Sequence, residues 1–88
     1  MGGNTDSKGG WSVYIIRCDD GSLYTGVSTD VERRFREHRD QPCGAKYFNG
    51  RRPLDVVWRE DGHTRSTAAQ REAAIKKLSR EQKLLLIR

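Results

Sequence analysis

Two cysteines, two prolines and one methionine are all that the 88 residues contain of those types, and aromatic residues make up only 8%. Cys18 and Cys43 are too few for the disulfide framework of a small secreted domain, and they lack the paired spacing of a zinc site. Long apolar runs are missing as well. The longest aliphatic stretch is Leu84 to Ile87, far short of the roughly 20 residues that cross a bilayer. Met1 to Gly10 is polar and glycine-rich, without the apolar segment of a secretory signal, and reads as an unstructured tail or a cloning remnant. Together these absences point to the reducing cytosol and leave residues 11–88 as one small domain.

Charge is abundant. Charged residues make up 33% of the chain against 34% hydrophobic, and 17 Lys and Arg exceed 12 Asp and Glu to give a net +5. The excess is concentrated. Residues 31–52 hold seven basic and three acidic groups and residues 71–88 hold six and two, so each segment is +4, while residues 1–30 and 53–70 are net acidic. Concentrated positive charge attracts polyanions, and the partner it suggests is nucleic acid, held through its phosphates. Two solvated helix faces would produce the same pattern.

The periodicities give the order ββαβαα, an α+β arrangement with a small three-stranded antiparallel sheet flanked by helices. Trp11 to Arg17 and Ser22 to Val27 read as strands joined at Asp19-Asp20-Gly21. A three-residue loop with Gly21 left-handed pairs positions summing to 40, so Tyr14 faces Gly26, Ile16 faces Tyr24, and both tyrosines share one face. A two-residue turn would place the tyrosines on opposite faces. Thr29 and Glu32 have capping-box spacing, predicting a helix from about Asp30 to Asp40, where Gln41-Pro42 stops it. Leu54 to Glu60 reads as the third strand, Asp61-Gly62 as a turn, and Ser66 to Leu78 as a helix capped by Ser66 or Thr67. Ser79 and Gln82 open a last helix expected to carry Leu84, Leu85, Leu86 and Ile87 to the core.

Val13-Tyr14-Ile15, Tyr24-Thr25-Gly26 and a following helix bearing Arg34 and His38 together resemble a GIY-YIG nuclease domain. The resemblance runs from Trp11 to about the C-terminus. It is closest to small single-domain bacterial members, similar to the catalytic domain of the eukaryotic endonuclease that cuts branched DNA, and Cys43-Gly44-Ala45-Lys46 fits that subgroup. Departures are Ser12 in place of the first motif's glycine, Thr25 in the middle of the second, and no asparagine after Asn49. The resemblance implies an endonuclease hydrolysing DNA phosphodiester bonds, expected on branched, flapped or single-stranded DNA in repair or recombination. It implies Mg²⁺, or another divalent cation such as Mn²⁺, as cofactor and a partner protein for substrate selection. Tyr14, Tyr24, Arg34, His38 and Glu72 become the catalytic candidates, with Glu72 the metal ligand. Gly26, Arg33, Lys46, Arg51 and Lys76 are candidates for contact with nucleic acid.

The chemistry suits these residue types. Phosphodiester hydrolysis needs an aimed, deprotonated water, stabilisation of charge on phosphorus oxygens, and neutralisation of the leaving alkoxide. One carboxylate such as Glu72 suits Mg²⁺, which keeps waters and takes substrate oxygens as further ligands. The planar, permanently charged guanidinium of Arg34 matches phosphate oxygens. A tyrosine, at about 10 unperturbed, must be helped by nearby cations to act as base, and the residues leave Tyr14 and Tyr24 both open for that role. Singly, each has an ordinary reading: Arg34 paired with Asp30, His38 continuing the apolar stripe, Glu72 paired with Lys76, and tyrosines packed in strands. A non-catalytic nucleic-acid-binding module, stacking bases on Trp11, Tyr47 or Phe48, is the alternative function.

Overall fold

The computed structural model describes residues 10–40 and 51–87. The proposed tail, apart from Gly10, and the Cys43-Gly44-Ala45-Lys46 segment with Tyr47 and Phe48 lie outside the described residues. Strands β1 (Trp11–Cys18) and β2 (Leu23–Ser28) are followed by α1 (Val31–Asp40), β3 (Pro53–His63), α2 (Arg65–Lys76) and α3 (Arg80–Ile87), the expected ββαβαα order. The sheet is antiparallel throughout, in the order β2-β1-β3. Its central strand is covered on both faces, which is why its sequence is an unbroken apolar run rather than an alternation. Val13 and Ile15 pack on one side with Leu23, Ala68 and Ile75, and Tyr14, Ile16 and Cys18 pack on the other with Val31. Helix α2 therefore covers one face and α1 the other. Among the described residues no helix is long and apolar enough to cross a membrane.

The hairpin has the predicted register: Ser12 pairs with Ser28, Tyr14 with Gly26 and Ile16 with Tyr24. Gly21 closes the three-residue loop at φ +86°, a left-handed conformation that residues with a Cβ rarely adopt. The Asp20 carboxylate accepts bonds from the Ser22 hydroxyl at 2.6 Å and the Ser22 amide at 2.9 Å. Those bonds, joined by Arg51, hold it down at about 2.

Apart from shifts of a residue or two at element ends, the structure departs from expectation in caps, in β3 and in the packing of α3. The N-cap of α1 is Asp30, not Thr29: its carboxylate accepts from the Arg33 amide at 3.0 Å, and a carboxylate there also complements the helix dipole. Asp61-Gly62 is no turn. Gly62, at φ +83°, lies inside β3 where the register with β1 slips, so the left-handed glycine makes a bulge and the strand continues to His63. Helix α2 follows directly after the strand, with Thr64 rather than Ser66 or Thr67 as its cap, in a reciprocal box with Thr67. In α3 the Ser79–Gln82 box forms as expected, but Leu84 and Leu85 are 41% and 64% exposed. Four consecutive apolar residues span most of a helix's circumference, so they cannot all face one core, and Leu86 and Ile87 are the pair that packs.

Thr25, in the middle of the second tyrosine motif, pairs with Ile15 and shares its face of the sheet. It is buried, and its Oγ1 has no hydrogen-bond partner. A buried hydroxyl without a partner costs more than it contributes. Thr25→Val, which keeps the shape and removes the hydroxyl, is expected to stabilise the domain by about 1 kcal/mol in urea unfolding.

Candidate active site at the β2 edge

The site begins with an unusually close approach. Tyr14 on the central strand lies across from Gly26 on the edge strand β2. A Cβ at position 26 would stand 2.7 Å from the Tyr14 Oη, 2.8 Å from its Cζ and 3.0 Å from Cε2 of Tyr24. Glycine is required here for space, not for a left-handed backbone, since among the described residues the positive-φ glycines are Gly21 and Gly62. The missing side chain lets the Tyr14 ring lie over β2. Tyr24 follows beside it, ring centroids 6.4 Å apart and planes at 51°. Tyr14 is 1% exposed, Tyr24 half-buried. Burial pushes the Tyr14 phenol up to about 12, with the Tyr24 and Glu72 charges adding to the rise, while the charge and hydrogen bond of Arg34 oppose it.

Helix α1 brings its residues to this face by simple periodicity. Val31, Phe35 and His38 form the stripe that meets the sheet, and Arg34 lies one turn before His38 on its flank. The Arg34 guanidinium is near enough to Tyr14 for its charge and hydrogen-bonding capacity to bear on the phenol, and its Nη1 donates to Glu37 Oε1 at 3.0 Å. The ordinary alternative, a pairing of Arg34 with Asp30, gives way to Glu37, and the Asp30 carboxylate is engaged as the helix cap. His38 is 2% exposed and stands edge-on to Tyr24, centroids 5.5 Å apart at 68°. Burial, then the Arg34 charge, lower its pKa against a smaller opposing effect of Glu37, so the imidazole is neutral near pH 7.

The carboxylate arrives from the other face of the sheet. Ala68 and Ile75 are the buried residues of α2; Glu72 is four after the first and Arg71 three after it, so they flank that buried line on opposite sides. Arg71 turns toward β3, where its Nε meets Glu60 Oε1 at 3.1 Å and its guanidinium lies 5.8 Å from the Trp58 ring. The Glu72 charge is the smallest of the effects that raise the Tyr14 phenol, and the Oε2 of Glu72 is 3.2 Å from Lys76 Nζ. Among the described residues no three His, Cys, Asp or Glu side chains converge to enclose a metal. A lone, partly exposed carboxylate does not make a Zn²⁺ site, yet it fits Mg²⁺, which commonly binds through one or two carboxylates and completes its shell with water and phosphate.

Of the candidates for nucleic-acid contact, Gly26 is the floor of the site and Lys76 its neighbour at Glu72. Arg33 lies outside on α1, its Nε 3.8 Å from Glu37 Oε2. Arg51 is drawn to the hairpin loop by Asp20, at 2.9 Å, and Lys46 lies outside the described residues. Trp11, the proposed stacking residue, is partly buried with Arg65 5.9 Å from its ring. Glu37, the carboxylate that holds Arg34, was not among the expected site residues. Its position three after Arg34 was the available signal. A cleft of about 350 Å³ between α1 and β3, lined by Val31, Glu32 and Val56 to Arg59, contains none of the site residues.

The class of protein is set by this arrangement: an α+β domain in which an arginine helix and a carboxylate helix pack on opposite faces of a sheet whose central and edge strands carry a tyrosine pair. The chain belongs to the GIY-YIG family, whose catalytic-domain model matches residues 10–84, and membership places it among nuclease domains. A UPF0213 protein of Desulfotalea psychrophila is 47% identical over 78 residues, 89% of this chain and 71% of that protein. Another, from Haloquadratum walsbyi, is 55% identical over 71 residues, covering 81% and 79%. The solution NMR structure of a UPF0213 protein from Bacillus halodurans superposes with a TM-score of 0.55 at 42% identity, covering 88% of this chain and 81% of that one. An E. faecalis protein solved by NMR gives 0.55 at 43% identity, covering 82% and 76%.

Gly26→Ala tests the close approach. In an ordinary strand interior this change favours folding slightly, because glycine loses more backbone entropy. Here the new methyl collides with Tyr14, and a loss of about 1 to 3 kcal/mol is expected in urea unfolding, with displaced Tyr14 and Tyr24 ring resonances in the NMR spectrum.

Proposed function

We propose that the protein is a divalent-cation-dependent endonuclease that hydrolyses DNA phosphodiester bonds at the β2 edge. The observation that carries this reading is a tyrosine pair packed over Gly26 whose buried member feels the charges of both Arg34 and Glu72. Arg34 binds the phosphate undergoing attack: its pairing with Glu37 and Tyr14 fixes the guanidinium before substrate arrives, so little reorganisation is needed as charge grows on the phosphorus oxygens. Glu72 holds the cation, which when bound supplies positive charge for the leaving oxygen.

The tyrosines take different parts. Two phenolates side by side repel, so at most one ionises. Tyr14, buried and pushed up to about 12, stays protonated near neutral pH and orients Arg34. Tyr24, half-buried at the edge where water reaches it, is the proposed general base for the attacking water. His38, neutral and edge-on, holds the Tyr24 ring in place.

Few phosphates fit against so small a surface, so binding depends on backbone charge and on the shape of the nucleic acid more than on base sequence. Branched, flapped or single-stranded DNA is the proposed substrate, in repair or recombination, with a partner protein completing substrate selection.

Cleavage of nicked, flapped and branched DNA is expected in Mg²⁺ and is expected to stop with a chelator. Arg34→Ala should slow it by roughly 10²-fold or more, as loss of an electrostatic stabiliser does, and Glu72→Gln should abolish the response to metal. Binding without products from every substrate, indifferent to metal, would instead identify a nucleic-acid-binding module.

A further inference from the structure

Glu72 already has a cationic partner. Lys76 lies one helical turn on, its Nζ 3.2 Å from Glu72 Oε2, and its side chain is 55% exposed while that of Glu72 is 24% exposed. An ammonium and a divalent cation cannot share one carboxylate without repelling each other at short range. The lysine stem is long, flexible and mostly in solvent, so the ammonium can leave Glu72 without moving the helix.

We propose that Lys76 is a resident counter-ion that holds Glu72 in the metal-free protein and transfers to a substrate phosphate when Glu72 binds a divalent cation. The inference rests on the assignment of Glu72 as the cation's ligand and adds a second state for its neighbour. Without cation, the ion pair neutralises the Glu72 carboxylate beside Tyr14, so the site does not repel a polyanion. With a cation held by Glu72, the ammonium one helical turn away would be released toward a phosphate drawn to the same side of the site. Lys76 then adds one backbone contact only to the metal-loaded complex, coupling DNA affinity to metal occupancy.

The test uses the full chain without substrate, titrated with Mn²⁺ and followed by water-proton relaxation. Lys76→Gln is expected to tighten Mn²⁺ binding about two- to fivefold, the range of an exposed ion pair, Lys76→Arg to leave it near wild type, and Glu72→Gln to weaken it severely. Binding that is unchanged or weaker in Lys76→Gln, while Glu72→Gln abolishes it, overturns the counter-ion role alone. Insensitivity to Glu72→Gln overturns the metal assignment beneath it. For the second state, DNA affinity is measured against salt with Ca²⁺, used as a cation that supports binding. Lys76→Gln should lower the slope of log affinity on log salt by about 0.7 to 0.9, one phosphate contact, with Ca²⁺ present and not in its absence. Equal slopes for wild type and Lys76→Gln in Ca²⁺ overturn the transfer to phosphate.

Discussion

Tyr14 can lie across the edge strand only because Gly26 has no side chain, and the geometry of the site follows from that clearance. A Cβ at 2.7 Å from the phenol oxygen would push the ring away from β2. The phenol would then move relative to the Arg34 guanidinium that acts on it, leaving the part-buried Glu37 contact as the tether of that guanidinium. Tyr24 would be displaced too, since its ring edge borders the same space. The glycine thus acts through what it leaves empty, in a strand interior where glycine is otherwise unfavourable.

That clearance is useful only if the two tyrosines share a face, which depends on the hairpin loop. A loop one residue shorter would send Tyr14 and Tyr24 to opposite sides of the sheet, because side chains alternate along each strand. Gly21 in its left-handed conformation and the Asp20–Ser22 bonds fix the longer loop at one end of the hairpin, and Gly26 accommodates its consequence farther along. The sheet order then matters. With β1 central and β2 at the edge, the Tyr14 ring crosses the last strand to the margin of the sheet, where helices packed on either face can meet it. Arg34 comes from α1 and Glu72 from α2, so the two charged groups need no loop to position them, and packing of their own helices holds them in place.

Much of this was readable from local chemistry. The hairpin register followed from Gly21 and the loop length, the shared face of the tyrosines from the register, and the α3 cap from Ser79 and Gln82. Where two local readings were chemically equivalent, sequence did not choose. Asp61-Gly62 suits a turn or a bulge equally, since both use a left-handed glycine, and the choice was made by pairing with β1 far away in the chain. Thr29, Asp30, Thr64, Ser66 and Thr67 are all competent caps, so the true start of each helix depended on where the preceding strand ended. The proximity of Glu72 to Tyr14 joins two elements more than fifty residues apart, and no periodicity carries that information; the ordered motif set shared with GIY-YIG domains did. Within α2, by contrast, the placing of Glu72 and Arg71 on opposite sides of the buried line is a matter of local periodicity. The pairing of Arg34 with Glu37 was equally local, but Asp30 offered a competing partner until its capping role was known.

The central claim is that Tyr14 and Arg34 work as one unit, the phenol holding the guanidinium for the phosphate. A double-mutant cycle on single-turnover DNA cleavage in Mg²⁺, with Tyr14→Phe, Arg34→Ala and the double variant, tests it most directly. The account predicts that the double variant is about as slow as Arg34→Ala alone, a coupling of roughly 1 to 3 kcal/mol. Rate losses that simply add would show that Tyr14 and Arg34 act independently and would contradict it.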